Sequence, residues 1–198
     1  MKLDIARNRV IPALAWCVIV RRRQLSVRAH VGSHVEVTDG AIVEGAWSGS
    51  FKSWDFAGAK TFTGTGVSVK GNSIFVSTPT HTLAPVYSIN VRSTIVISNS
   101  LSLLLAFSGD YLDPSYPFYD ADIMSIIFGT DSYIKSIPTK NGNRIHLHYM
   151  CDITIDEGLA IQTEEKSVQG EFVDFNGYYQ LLKDETSAVV QNATDSVR

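Results

Sequence analysis

Apolar positions gather in short runs of β-branched and aromatic residues across residues 11–97. Short runs rich in Val, Ile, Phe and Trp are separated by polar turns. They predict strands over residues 14–20, 24–31, 41–47, 61–69, 74–78, 86–89 and 94–97. "KGN" at 70–72 suits a tight hairpin, because Gly and Asn accept positive φ, and residues 90–93 make the next turn. Read by neighbour order alone, this half is an antiparallel meander. The pattern then changes. "SNS" at 98–100 offers N-cap hydroxyls, Leu101, Leu104 and Leu105 form a stripe, and Gly109 stops it. A second helix is expected over 120–128, capped by Asp120, carrying Ile123, Met124, Ile126 and Ile127, and closed by Gly129. Strands return at 133–137, 144–155 and 159–164, with turns at 139–143 and 156–158. From Asp174 the pattern is helical again, with Tyr178, Leu182, Val189, Ala193 and Val197 on one stripe. That helix has no stop signal, so the expectation is a chain cut from a longer one or a helix that packs on a partner. Its first half is expected to reach back to its own domain, and its second half to project past it.

Composition narrows the class. The 198 residues are 44% hydrophobic and 19% charged, enough for a real core and unlike a disordered chain. Seventeen basic against twenty acidic residues give a net charge of −3, which argues against nucleic acid as a partner. The longest apolar run, 10–20, is too short for a membrane span, so no membrane association is expected. "LAWC" at 14–17 imitates a lipoprotein cleavage site, but Trp16 stands where a small residue belongs and Arg21, Arg22 and Arg23 follow. Two cysteines, Cys17 and Cys151, make no disulfide framework, and the expected compartment is the reducing cytoplasm.

Candidate chemistry is sparse. "HLH" at 146–148 puts His146 and His148 on one strand face, as a metal site would, but no third ligand has a diagnostic spacing; His30, His34 and His81 are scattered. "GTGVSVKG" at 64–71 lacks the phosphate-loop spacing, and a strand follows it rather than a helix. No serine has nucleophile-elbow glycines, and neither cysteine has a histidine partner in local sequence. Asp120 and Asp122 fit helix capping, and Glu164 and Glu165 alternate faces of a strand. No catalytic, cofactor-binding or metal-binding residue is assigned on these grounds.

Three stretches share a pattern with a known family. "TPTHTLAPVYSINVRSTIVISNSLSLLLAFSG" at 78–109 places Pro85, Val86 and Tyr87, then a polar hairpin, a strand over 95–99 and a leucine-rich helix over 101–106. "EGAWSGSF" at 44–51 and "SYIKSIPTKNGNRIHLHYMCDITID" at 132–156 flank it. Together they resemble the N-terminal domain of the asparagine synthetase family, by pattern more than by identical residues, over residues 41–198. The resemblance implies an α+β fold of the N-terminal-nucleophile type, an αββα sandwich of mainly antiparallel sheets. Residues 1–170 would form the domain, and 171–198 the helix leading toward a synthetase domain beyond Arg198. In that family the domain releases ammonia from glutamine with a cysteine exposed by Met removal, whose own α-amine acts as base. Here Lys2 holds that position, Cys17 lies within an apolar strand, and Thr80 and His81 stand near the family's Arg-Asp pair. The family's glutamine-holding "RGPD", "NGEIYN" and "SDTE" elements have no counterparts.

The resemblance therefore implies a degenerate, non-catalytic glutamine amidotransferase-like domain. Its partner would be the synthetase domain of an asparagine-forming, ATP-dependent ligase, with ATP and magnesium bound there and no cofactor in this chain. A homodimer is compatible with the same reading. Two alternatives stand beside it. One is a stand-alone β-rich binding module holding a metal on His146 and His148. The other is a hydrolase activated by internal cleavage at Gly64-Thr65 or Gly32-Ser33.

Overall fold

The structure, a computed structural model, describes residues 1–24, 26–166 and 173–196. In chain order the strands are β1 (Lys2–Arg7), β2 (Trp16–Arg21), β3 (Ser26–Val31), β4 (Glu36–Val37), β5 (Ala41–Glu44), β6 (Thr65–Lys70), β7 (Ser73–Ser77), β8 (Val86–Val91) and β9 (Thr94–Ser98). Helices α1 (Leu101–Ser108) and α2 (Tyr119–Met124) follow, then β10 (Ser136–Pro138), β11 (Arg144–His148), β12 (Cys151–Ile155), β13 (Ile161–Glu165) and the long helix α3 (Phe175–Ser196). The protein is an α+β fold of mostly antiparallel sheets with a C-terminal helix.

The strands make two sheets, ordered β1-β3-β2-β9-β8-β11-β10 and β13-β12-β7-β6-β5-β4. The two-residue period decides how they stack. On β2, Trp16, Val18 and Val20 join a core shared with Ile42, Val67, Ile74, Val76, Ile153 and Ile155 of the second sheet, whereas Cys17 points the other way. The sheets therefore face one another across that core. On the outer face of the first sheet, Cys17, Ile89, Val96, Ile137 and Ile145 pack with Leu104 of α1 and with Ile126, just beyond α2. On the outer face of the second, Ala41 and Val43 are covered by Trp47, Phe56 and Phe62 of the long β5–β6 connection. Helix α3 rests on that side, where Asn192 Nδ2 donates to the Trp47 carbonyl (2.6 Å) and Val189 is buried. Burying such faces supplies about 25 cal/mol per Å² of apolar surface, which holds the layers together.

The strand pattern survives in outline, but the meander does not. Consecutive strands change sheet twice in the first half: β1–β3 lie in the first, β4–β7 in the second, and β8–β9 return. β1, absent from the sequence reading, pairs parallel with β3 at the sheet edge, Lys2 opposite Ser26 through Arg7 opposite Val31. The strand expected over 144–155 is two strands in different sheets, broken at Tyr149 and Met150, with Met150 at φ 47°. Helix α1 has the expected ends: Ser100 Oγ accepts from Leu103 N, and Gly109 closes it at φ 68°. Asp120 does not cap α2. That helix starts at Tyr119 after Phe118, without a side-chain cap bond, and Asp122 instead accepts from Tyr116 Oη (2.6 Å).

Helix α3 differs in phase and in direction of burial. The positions facing the body are Leu181, Glu185, Ala188, Val189 and Asn192, while Tyr178, Leu182 and Ala193 are exposed. The half expected to dock is exposed, and the half expected to project is docked. Val197 lies outside the described residues. Among the described residues no helix is long and apolar enough to cross a membrane.

Candidate functional site

The break at Tyr149 and Met150 opens a cavity. β11 leaves the first sheet and β12 enters the second within two residues, so the sheets part at this edge. The space between them, about 430 Å³, is lined among others by Ser88, Tyr133, His146, His148, Tyr149 and Glu165. Because Ile145 and Leu147 point to the outer core, alternation turns His146 and His148 inward, with Ser88 opposite His146 across the ladder. Ser88 Oγ and His148 Nε2 share a buried hydrogen bond of 2.8 Å. Burial, then the neighbouring His146, holds the His148 pKa down at about 4, so its imidazole is neutral at physiological pH. His146 is shifted the same way, by burial and by Arg144. Tyr133 and Tyr149 meet edge to face at 5.2 Å and form an aromatic wall; their hydroxyls donate to the carbonyls of Leu147 (3.1 Å) and Ile123 (3.4 Å).

Lys166, at the rim, is the buried cation of the site. Its ammonium donates to Ser77 Oγ (2.7 Å) and to the Thr78 carbonyl, and lies 3.5 Å from Asp152. Burial lowers its pKa while Asp152 opposes that shift. With all three protons taken, this lysine ties the end of β13 to β7 and β12 rather than offering charge to a ligand. Cys151 begins β12 beside it, buried, its thiol pushed up to about 11 chiefly by burial.

A second polar group lies between the sheets where β2 begins and β9 ends. Trp16 Nε1 donates to Thr65 Oγ1 (2.7 Å), Thr65 Oγ1 and N–H both donate to Glu44 Oε1 (2.8 and 3.0 Å), and Asn99 Oδ1 accepts from Trp16 N (2.8 Å). Burial raises the Glu44 pKa against these bonds. The network pins the central strands of the two sheets together at one height. It also accounts for the glycine of Gly64-Thr65: a Cβ there would lie 1.7 Å from the Glu44 carbonyl oxygen. Gly32 is likewise fixed by packing, its Cβ position 2.1 Å from the Pro12 carbonyl.

Of the residues singled out in the sequence, His146, His148, Cys151 and Glu165 meet in one cavity. His30, His34 and His81 do not line it; His30 stacks on Phe107 with centroids 4.3 Å apart. The His146 and His148 rings are 6.4 Å apart, and among the described residues no group of three or more His, Cys, Asp or Glu side chains is placed to hold a metal ion. Cys17 is fully buried in β2, its thiol raised to about 12 by burial. Ser88, Tyr133, Tyr149 and Glu44 were missed, and Thr65 entered only as half of the Gly64-Thr65 cleavage candidate. For Ser88 and Glu44 the signal was the inward phase of β8 and β5, readable only once the sheet partner is known; Tyr133 and Tyr149 lie outside the strands. No protein-family model matches the chain, and no curated protein matches its sequence.

Proposed function

We propose that this chain is a non-catalytic, glutamine amidotransferase-like domain of the N-terminal-nucleophile type, serving as scaffold for an asparagine synthetase-like, ATP-dependent amide-forming ligase module. The observation that supports it is the layer order. Two facing, mainly antiparallel sheets carry α1 and α2 on one outer face, in keeping with the sandwich that the resemblance implies; the helix on the other outer face is α3, which the resemblance assigns to the passage toward the synthetase domain. The chemistry points to scaffold rather than glutaminase. Both cysteines are buried in strands with thiols at about 12 and 11, so neither is a nucleophile near neutral pH. A ligase of this type would bind ATP and magnesium in its own module and draw its amine from solution. The first half of α3, with Phe175, Tyr179 and Leu182 exposed, supplies apolar surface for that module.

The test is genetic and then biochemical. The reading frame encoding this chain, or one beside it, should contain a Ser-Gly-Gly-x-Asp-Ser ATP-pyrophosphatase loop, and that product should co-purify with this chain when both are expressed. A locus without such a loop removes the ligase from the reading. The cavity favours a second reading, a small-molecule binding module, because it brings a neutral imidazole pair, a buried hydroxyl and two tyrosines together.

A further inference from the structure

The cavity at the break between β11 and β12 keeps its charges at the rim and off the floor. Ser88, His148 and Cys151 form the floor, 1%, 8% and 6% exposed. Burial holds His148 there as a neutral imidazole and Cys151 as a thiol. Three lining groups carry charge. The Lys166 ammonium is turned to Asp152, Ser77 and Thr78, while Lys135 and Glu165, of opposite sign, are exposed at the rim. A charged ligand group reaching the floor would shed its hydration and meet no counter-charge, a cost that the hydrogen bonds of the floor do not return.

What the floor offers instead is one adaptable polar pair. Ser88 Oγ and His148 Nε2 share a hydrogen bond of 2.8 Å. When Ser88 donates to Nε2, its oxygen accepts a further bond; when Nε2 donates to Ser88, the hydroxyl donates one. A ligand hydroxyl meets both cases, because it donates and accepts at a single atom. The wall is aromatic. Tyr133 and Tyr149 stand edge to face at 5.2 Å, and their hydroxyls donate to the carbonyls of Leu147 and Ile123, so what they add for a ligand is ring surface. The volume of about 430 Å³ falls within the roughly 300–1,000 Å³ of small-molecule pockets.

We propose that this cavity binds a small uncharged phenol, its ring against Tyr133 and Tyr149 and its hydroxyl on the Ser88–His148 pair. The proposal rests on the chain being a small-molecule binding module, and it is independent of any ligase partner.

The probe is naphthol, a fused-ring phenol, with naphthoate and naphthylmethylammonium as charged counterparts on the same ring. Each is titrated into the isotopically labelled full chain, where backbone amide shifts in NMR spectra locate the site and give the dissociation constant. Naphthol should shift Ser88, Tyr133 and residues 146–151, and should bind about tenfold or more tighter than either counterpart. Ser88→Ala should raise the naphthol dissociation constant about threefold to tenfold, the loss of one hydrogen bond, and leave the weak binding of naphthoate unchanged. Thr163→Trp, at an exposed position of the edge strand β13 that lines the cavity, should fill the space and abolish the naphthol shifts with the melting temperature near the parent value. Equal or tighter binding of a charged counterpart at these residues overturns the phenol and leaves a small-molecule module standing. No shift at these residues with any of the three probes overturns both. Naphthol shifts that persist unchanged in Thr163→Trp also overturn the proposal, because the ring would then lie elsewhere.

Discussion

Acidification should destabilise the fold through His148, by an amount that follows from its burial. The imidazole has an ordinary value of 6.5 and is held at about 4 in the folded chain. Below pH 6.5 the unfolded chain therefore binds a proton that the folded chain refuses, so stability falls as pH falls. The contribution is fully present above pH 6.5. By pH 5 about 2 kcal/mol of it is lost, and below pH 4 the loss levels off near 3 kcal/mol, at about 1.4 kcal/mol per pH unit of difference. The perturbation is His148→Gln, whose side-chain amide can still meet Ser88 Oγ but does not titrate. Urea unfolding of both proteins at pH 7, 6, 5 and 4.5 gives two stability profiles, and their difference isolates His148. His30 and His146, lowered in the same direction, and Glu44, raised by burial, remain in both proteins. The variant should be less stable at pH 7, and its profile should be flatter than the parent's by about 2 kcal/mol between pH 7 and 5. Parallel profiles would mean that the imidazole is solvated or already charged, and that the cavity floor is not as described.

Three further outcomes follow from packing and burial. Val189→Asp, in the half of α3 that the sequence expects to project past its domain, should lower stability by about 2–4 kcal/mol because Val189 is only 8% exposed; an unchanged melting temperature would mean that α3 is not docked there. At pH 8 native Cys17 and Cys151 should react with an aromatic disulfide orders of magnitude more slowly than in urea, since the thiolate fractions are about 10⁻⁴ and 10⁻³; a fast native phase contradicts their burial. Gly64→Ala should cost about 3 kcal/mol or more, read by urea unfolding, because its Cβ would lie 1.7 Å from a backbone oxygen; near-parent stability would refute the close Gly64–Glu44 crossing.

The parts of the fold legible in the sequence are those where apolar periodicity matches burial. β2, β5, β7, β8 and β9 are Val- and Ile-rich and sit mid-sheet, and Ser100 and Gly109 bound α1 by local chemistry. β1 escaped because it is an edge strand with charges at alternate positions, where only Leu3 is buried. The break at Met150 escaped because Val/Ile-type periodicity runs on either side of it, and periodicity cannot say which sheet a strand joins. The phase of α3 was misread for a physical reason: its body-facing stripe includes Glu185 and Asn192, polar residues that a hydrophobicity count assigns to solvent. The cavity was half legible. His146 and His148 share a face by the strand period, but Ser88, Tyr133 and Tyr149 reach them only through pairing between β8 and β11 and through the turn after β11. Lys166 gave no signal at all, since its partners Ser77, Thr78 and Asp152 are set by the sheet and not by spacing.

The proposed function is a glutaminase-like domain that lacks glutaminase chemistry. The direct measurement is ammonia release from L-glutamine by the purified chain, paired with intact-mass analysis after exposure to a diazoketone analogue of glutamine. Ammonia at the no-protein background and an unmodified mass are the expected results. Turnover or a covalent adduct that disappears in Cys17→Ala or Cys151→Ala would contradict the account, because it would place a reactive thiolate where burial holds the thiols at about 12 and 11.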